Sequence, residues 1–100
     1  MDIEVTFRHM NSTPRLKEHV MKKIVHLEHY FDKVQSVHVV LSTEKIHHIT
    51  EVTVHSPGEV FKASSSTDNM YSSVDSVVHK MERHLAKRKE LVKLEPHKAS

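Results

Sequence analysis

The strongest constraint on the fold is the segment from Asp68 to Leu94, in which apolar residues recur at alternating spacings of three and four. This period is that of an α-helix with one buried face. The apolar positions are Tyr71, Val74, Val78, Met81 and Leu85. A helix this long with a single apolar face needs a second layer to cover it, so we expect at least two layers of secondary structure.

The other side of this predicted helix is basic. Lys80, Arg83 and Lys87 repeat at the helical spacing, roughly opposite the apolar positions. Arg88 stands where the apolar series would next recur, and Lys89 follows it. A helix with an apolar inner face and a cationic outer face can lie along phosphates, although an ordinary solvated face is the alternative interpretation.

The chain before this helix contains three segments of alternating polar and apolar residues, as in strands with one buried face, and a fourth predicted strand follows a reverse turn. The predicted strands are Asp2–Arg8, Val34–Thr43, Ile49–His55 and Val60–Ala63. Glu44–His48 is predicted to be a loop or a strand extension. Ser56–Glu59 is predicted to be a reverse turn, because Pro and Gly occupy its two central positions.

A first helix is predicted from Pro14 to about Phe31, with Thr13 as its N-cap. For the second helix, Thr67 or Asp68 is the predicted cap. Because the first strand, first helix and second strand follow in sequence, a right-handed crossover between parallel strands is favoured. The sequence therefore predicts an α+β two-layer sandwich of order β-α-β-β-β-α, with a four-stranded mixed sheet and both helices on one face. Residues 1–95 are expected to form one domain, and 96–100 a disordered tail.

Positive charge is concentrated on the two predicted helices. Arg15–Lys33 and His79–Lys93 together contain eleven basic and five acidic side chains, whereas the rest of the chain contains four basic and eight acidic ones. The helical part thus carries a net charge of +6 and the remainder −4. This segregation favours an anionic partner on the helical side, where both basic stripes should share one surface.

Histidines are abundant, and several lie on the first predicted helix. A stripe behind its apolar face consists of residues that are basic or can become so: Arg15, His19, Lys22, His26, His29 and Lys33. An imidazole ordinarily has a pKa of about 6.5, so this stripe could bind anions more tightly in mild acid; an ordinary polar face is the alternative. None of the eleven histidines has a recognised metal-ligand spacing, so neither a metal nor another cofactor is predicted.

Composition excludes several classes of protein. The single glycine, Gly58, cannot supply a phosphate-binding loop, a dinucleotide-binding turn or a nucleophile elbow. The lack of cysteine excludes disulfides and fits a reducing compartment. No signal peptide or apolar membrane span is predicted, so we expect a cytoplasmic protein. No local arrangement marks a serine or histidine as activated, so we do not expect an enzyme. With so few aromatic residues, RNA recognition would depend on shape and phosphates; Tyr71 is either a core residue or a base-stacking one.

Three segments resemble one bacterial family: LEHYFDKV at 27–34, VHVVLSTEK at 37–45 and MYSSVDSVVHKMERHLAKRK at 70–89. The last matches the family pattern M-Y-x-x-[IV]-D-x-x-[IV]-x-K-[LM]-x-R-x-L-x-K. The matching residues are Met70, Tyr71, Val74, Asp75, Val78, Lys80, Met81, Arg83, Leu85 and Lys87. Over about residues 3–91 the chain resembles the short ribosome hibernation-promoting factors, and it is similar also to the ribosome-associated inhibitor.

The resemblance implies a fold like that of a double-stranded RNA-binding domain with an added first strand. It implies binding to the small ribosomal subunit and its rRNA, in the channel of messenger RNA and the anticodon ends of transfer RNA. Translation would be blocked, and ribosomes would pair inactively in stationary phase with the help of a second small modulation factor. The chain lacks the C-terminal dimerisation domain of the long members, so a monomer is expected off the ribosome.

The resemblance also implies which side chains contact rRNA. The matching basic positions are Lys23, Lys80, Arg83, Lys87 and Lys89, and the helix stripes add Lys22, His26 and Arg88. His26 stands where relatives often have Lys, so its contact would depend on pH. Two alternatives from other classes remain: a general double-stranded RNA-binding module, which would bind any long duplex, and a histidine-rich metal-binding protein, which metal would stabilise against melting.

Overall fold

The computed structural model describes residues 1–31 and 33–94. Its elements are strand β1 (Asp2–Arg8), helix α1 (Pro14–Ile24), a 3-10 helix (Val25–His29), strands β2 (Ser36–Glu44), β3 (His47–Ser56) and β4 (Glu59–Thr67), and helix α2 (Met70–Leu94). The predicted order of strands and helices is confirmed. Asp32 and the predicted tail at 96–100 lie outside the described residues.

The four strands form one mixed sheet in the order β1-β2-β3-β4. Strands β1 and β2 are parallel, as the crossover through α1 predicted, and the other two pairs are antiparallel. Ile3, Val37, Val54 and Phe61 form one row across the sheet, on the face that packs against both helices. This arrangement confirms the α+β two-layer sandwich.

One hydrophobic core lies between the sheet and the helices. Its fully buried members come from both layers: Val20, Ile24, Leu27, Val37, Val39, Leu41, Val52, Val54, Val74, Val77, Met81 and Leu85. Of the apolar positions predicted on the second helix, Val74, Val78, Met81 and Leu85 are therefore buried, and Tyr71 is half-buried. Met70 and Val77 are also buried, so the apolar face of α2 is wider than its periodic residues indicated.

The first helix is shorter than predicted. Regular α-helix ends at Ile24, and a 3-10 helix continues to His29, so the prediction of an α-helix to about Phe31 was wrong. Ile24 and Val25 are consecutive β-branched residues, which disfavour further α-helix. The tighter 3-10 turn aligns residues three apart, and Ile24 and Leu27 are both buried at that spacing.

Strand β4 extends further than predicted, and the second helix has a different cap. Serines of the polar run after Ala63 pair with β3, and the hydroxyl of Ser65 donates a hydrogen bond to that of Ser76 on α2 at 3.0 Å. Because α2 satisfies this hydroxyl, a buried polar residue is tolerated in the strand. The N-cap is Asn69, whose side-chain oxygen accepts from the amide of Ser72 at 3.2 Å. The prediction of Thr67 or Asp68 as the cap was wrong.

This cap gives a testable expectation for stability. Asn69→Ala removes the acceptor and should cost about 1 kcal/mol, whereas Asn69→Asp keeps it and adds a charge that the helix dipole favours by roughly 0.3–1 kcal/mol. Thermal unfolding followed by circular dichroism measures both changes. Asp68→Ala is the matched control and should stay within about 0.5 kcal/mol of the parent protein. Equal losses at residues 68 and 69 would contradict the assignment of the cap.

Candidate nucleic-acid interface

The C-terminal half of α2 and the neighbouring strand β4 line an open cationic groove. Its volume is about 950 Å3. The side chains that line it are Phe61, Lys80, Arg83, His84, Ala86, Lys87, Arg88 and Glu90. Five of these eight residues are cationic or can be protonated and one, Glu90, is acidic, so the groove carries a net positive charge.

Lys80, Arg83 and Lys87 are exposed along this groove. The ammonium group of Lys80 donates a hydrogen bond to the backbone oxygen of Ser64 on β4 at 2.8 Å. Lys80 therefore lies on the side of α2 that faces β4. None of the ion pairs among the described residues includes any of the three. Their positive charge is available to a phosphate ligand.

Arg88 differs from its neighbours in the groove, because a carboxylate neutralises it. Its Nε donates to both carboxylate oxygens of Glu59 on β4, at 2.8 and 3.0 Å. Arg88 stands where the apolar series of α2 would continue, and a charge at such a half-buried position needs a partner. Among the described residues, Arg88 is thus the predicted contact on α2 whose charge is paired with a carboxylate.

Replacing Glu59 by Gln should strengthen binding of RNA in this groove. Gln keeps an acceptor for Arg88 but leaves its charge uncompensated, which should steepen the salt dependence of RNA binding by up to about 0.9 log–log units. Stability should fall by less than about 1 kcal/mol, since both side chains are partly exposed. Fluorescence anisotropy with labelled RNA across a salt series measures the change. Glu51→Gln is the matched control, because it changes the net charge equally but lies on the outer face of the sheet. An equal gain in RNA affinity from Glu51→Gln would show that net charge, and not the released charge of Arg88, causes the effect.

The predicted contacts on α1 lie on the other side of α2. The side chain of Lys23 is 3.9 Å from the carboxylate of Asp75 on α2, and His19 contacts the same oxygen at 2.7 Å. Lys22 is highly exposed and 4.0 Å from Glu18, a separation at which such a pair holds it only weakly. Asp75 therefore draws Lys23 towards the seam between the helices, while Lys22 remains directed to solvent.

The predicted histidine stripe is divided in the structure. His19 packs edge-to-face on Tyr71, with ring centroids 5.0 Å apart, and so belongs to the contact between the helices. Tyr71 also packs against the hydrophobic core, which favours its interpretation as a core residue. His26 and His29 are exposed, and their rings stack at 5.7 Å. Of the three histidines in the predicted stripe, His26 and His29 are thus the ones exposed to solvent.

Lys89 does not line the groove itself but lies beside it. It lines a smaller cleft with His29, Tyr30, Ala86 and Glu90. The predicted contact residues thus form two neighbouring surfaces, one in the groove beside β4 and one around α1 and the 3-10 helix. Both basic stripes were expected to share one surface; in the structure they form two surfaces that adjoin, since the groove and the smaller cleft share Ala86 and Glu90.

Sequence reasoning missed three contributors to these surfaces. Phe61 and His84 line the groove, and Glu59 holds Arg88. The sequence did contain a signal for Glu59, because Arg88 stands at an apolar position of the helix and a cation there requires a counterion. Within residues 1–31 and 33–94, no three or more histidine or carboxylate side chains gather in a way that would hold a metal ion. Nor is any helix of the described chain long and apolar enough to cross a membrane.

The residues of this surface lie within a segment that matches a known protein family. Residues 3–93 match the profile of the family described as Sigma 54 modulation protein / S30EA ribosomal protein. The chain belongs to this family. The match covers β2, β3 and β4, all but the first residue of β1 and nearly all of α2, including every residue of the groove.

Individual members of the S30EA family are similar over almost their whole length. The ribosome hibernation promoting factor of Escherichia coli is 36% identical over 93 residues, which are 93% of this chain and 98% of that protein. A ribosomal subunit interface protein from Coxiella burnetii has a TM-score of 0.85 at 30% identity, over 90% of this chain and 99% of that one. The N-terminal domain of Thermus thermophilus Protein Y has a TM-score of 0.81 at 25% identity, over 88% and 99%.

Proposed function

We propose that this chain is a ribosome hibernation factor of the cytoplasm. It binds the small ribosomal subunit in the channel that holds messenger RNA and the anticodon ends of transfer RNA, and so blocks translation. The block is steric, since a domain lodged in the channel excludes both RNAs. No catalytic step is needed.

Two comparisons support this proposal. The relative in Escherichia coli is a ribosome hibernation promoting factor, and this chain covers 98% of it. The related structure from Coxiella burnetii is that of a ribosomal subunit interface protein. Similarity over the full length of a single-domain relative supports a shared function better than similarity to one part of a larger protein does.

The observation that carries the proposal is the groove between α2 and β4. Lys80, Arg83 and Lys87 are exposed there, without a carboxylate partner among the described residues. Cations fixed on a rigid helix can contact successive phosphates without reading base sequence. Ribosomal RNA presents such phosphates along the channel, and Lys22, Lys23, His26 and Lys89 provide a second set of contacts beside the groove.

The proposal extends to ribosome pairing in stationary phase. The chain is a monomer off the ribosome in this proposal, so it does not join two ribosomes through its own dimer. Pairing then follows from the inactive state of each small subunit, with the help of a small modulation factor. Sucrose-gradient profiles of stationary-phase cells with and without the gene test this part directly.

Co-sedimentation with isolated small subunits, across a salt series, tests the central proposal. We expect stoichiometric binding that weakens steeply with salt and is displaced by transfer RNA together with messenger RNA. Protein that stays in the supernatant would contradict the proposal. Equal binding to naked RNA duplex would also contradict it and would favour a general double-stranded RNA-binding module.

A further inference from the structure

The groove contains an aromatic ring as well as cations. Phe61 lies on β4, on the inner face of the sheet, and its half-buried side chain lines the groove opposite α2. The ring of Phe31 packs against it edge-to-face, with centroids 6.0 Å apart and planes at 73°. The position of Phe61 is thus fixed by a second aromatic residue, while part of its surface faces the groove.

The cations and the ring lie on opposite walls. Lys80, Arg83 and Lys87 belong to α2, whereas Phe61 belongs to β4, and the hydrogen bond from Lys80 to Ser64 joins the two walls. Proteins that bind single strands combine a cationic wall that follows the backbone with an aromatic ring on which a base stacks. Glu90 also lines the groove, but the cations outnumber it.

A duplex cannot use this arrangement fully. Its bases are stacked on each other inside the helix, and only phosphates and sugars reach a recessed ring. An unpaired nucleotide can place its phosphates on α2 and turn its base towards β4. The presence of Phe61 among the cations therefore favours an unpaired ligand.

We propose that the groove binds an unpaired RNA nucleotide, with its base stacked on Phe61 and its phosphates on Lys80, Arg83 and Lys87. This inference rests on the proposed function and specifies which form of RNA the groove takes. Stacking tolerates any base, because each base has a π-face. The groove then selects for unpaired RNA without selecting for sequence.

Phe61→Leu and Phe61→Tyr test the stacking contact. Leu keeps an apolar side chain under α2 but removes the ring, while Tyr retains the ring. Affinities are measured by anisotropy for oligouridine of roughly 10 nucleotides, within the usual site size, and for a blunt duplex of the same length. We expect Leu to weaken oligouridine binding by about 5- to 100-fold, since stacking contributes roughly 1–3 kcal/mol per base. Tyr should behave as Phe, and duplex binding should change with neither variant.

A second variant gives an optical measurement that does not depend on Leu folding well. The chain contains no tryptophan, so Phe61→Trp introduces a single tryptophan at the proposed stacking position, which can be excited apart from the two tyrosines. Oligouridine should quench its emission, and the duplex should not. Unchanged emission, or Leu binding oligouridine as tightly as Phe does, would overturn the proposal.

The two proposals fail in different ways. If the parent protein and the Leu variant bound small subunits with equal affinity, the stacking proposal would be rejected and the proposed function would stand. If the parent protein did not bind small subunits but bound oligouridine in a way that depends on Phe61, the proposed function would be rejected and the stacking proposal would stand.

Discussion

Replacing Lys80, Arg83 and Lys87 together by Glu is expected to abolish detectable binding to small ribosomal subunits while the protein stays folded. Three phosphate contacts are lost, which should flatten the salt dependence by about 2 to 3 log–log units, and three repulsive charges replace them. We expect the affinity to fall by at least roughly 100-fold at low salt. The three side chains are exposed, so the melting temperature should change little.

A control with the same change in net charge separates the groove from a general electrostatic effect. Arg8, Lys17 and Lys62 are exposed, and none of them lines the groove. Their joint replacement by Glu should leave stoichiometric binding, weakened only through the long-range field. If the two triple variants lost affinity equally, net charge rather than the groove would determine binding. A lost thermal transition in the groove variant would show that these residues support the fold.

Periodicity was sufficient to predict the elements and their buried faces. Alternation in Asp2–Arg8 and the three-and-four spacing in α2 depend on local geometry, which each segment carries in itself. Boundaries were less predictable, because they depend on partners. Strand β4 continues through its serines since Ser65 finds Ser76 on α2, eleven positions further along the chain. Nothing within the strand itself indicates that partner.

The candidate site was likewise predictable only where it depends on the local pattern of one element. The exposed cations of α2 followed from helical spacing, but their surroundings did not. His19 was predicted to face solvent, yet it contacts Asp75, which is 56 residues away and becomes its neighbour only when the two helices pack. Phe61 was predicted as a strand residue, and its place in a cationic groove depends on how α2 crosses β4. Sequence patterns therefore predict the faces of single elements, whereas a site between elements depends on their packing.

Leu27→Ala should produce a large loss of stability, as expected for a fully buried leucine. Leu27 is the fully buried residue of the 3-10 helix, whereas Val25, two residues earlier in the same helix, is 46% exposed. Removing its side chain leaves a cavity in the core and should cost about 2–5 kcal/mol. The total stability of such a domain is only about 5–15 kcal/mol. Urea unfolding should show a much lower midpoint with an unchanged slope.

Val25→Ala is the matched control, because it truncates a β-branched residue of the same 3-10 helix at an exposed position. We expect it to stay within about 0.5 kcal/mol of the parent protein. If both variants were nearly neutral, the 3-10 helix would not be part of the cooperative core, and the stacked His26 and His29 would sit on a loosely held segment. A large loss for Leu27→Ala alone would instead show that the core holds this segment beside α2, where its histidines and Lys89 can meet the same RNA.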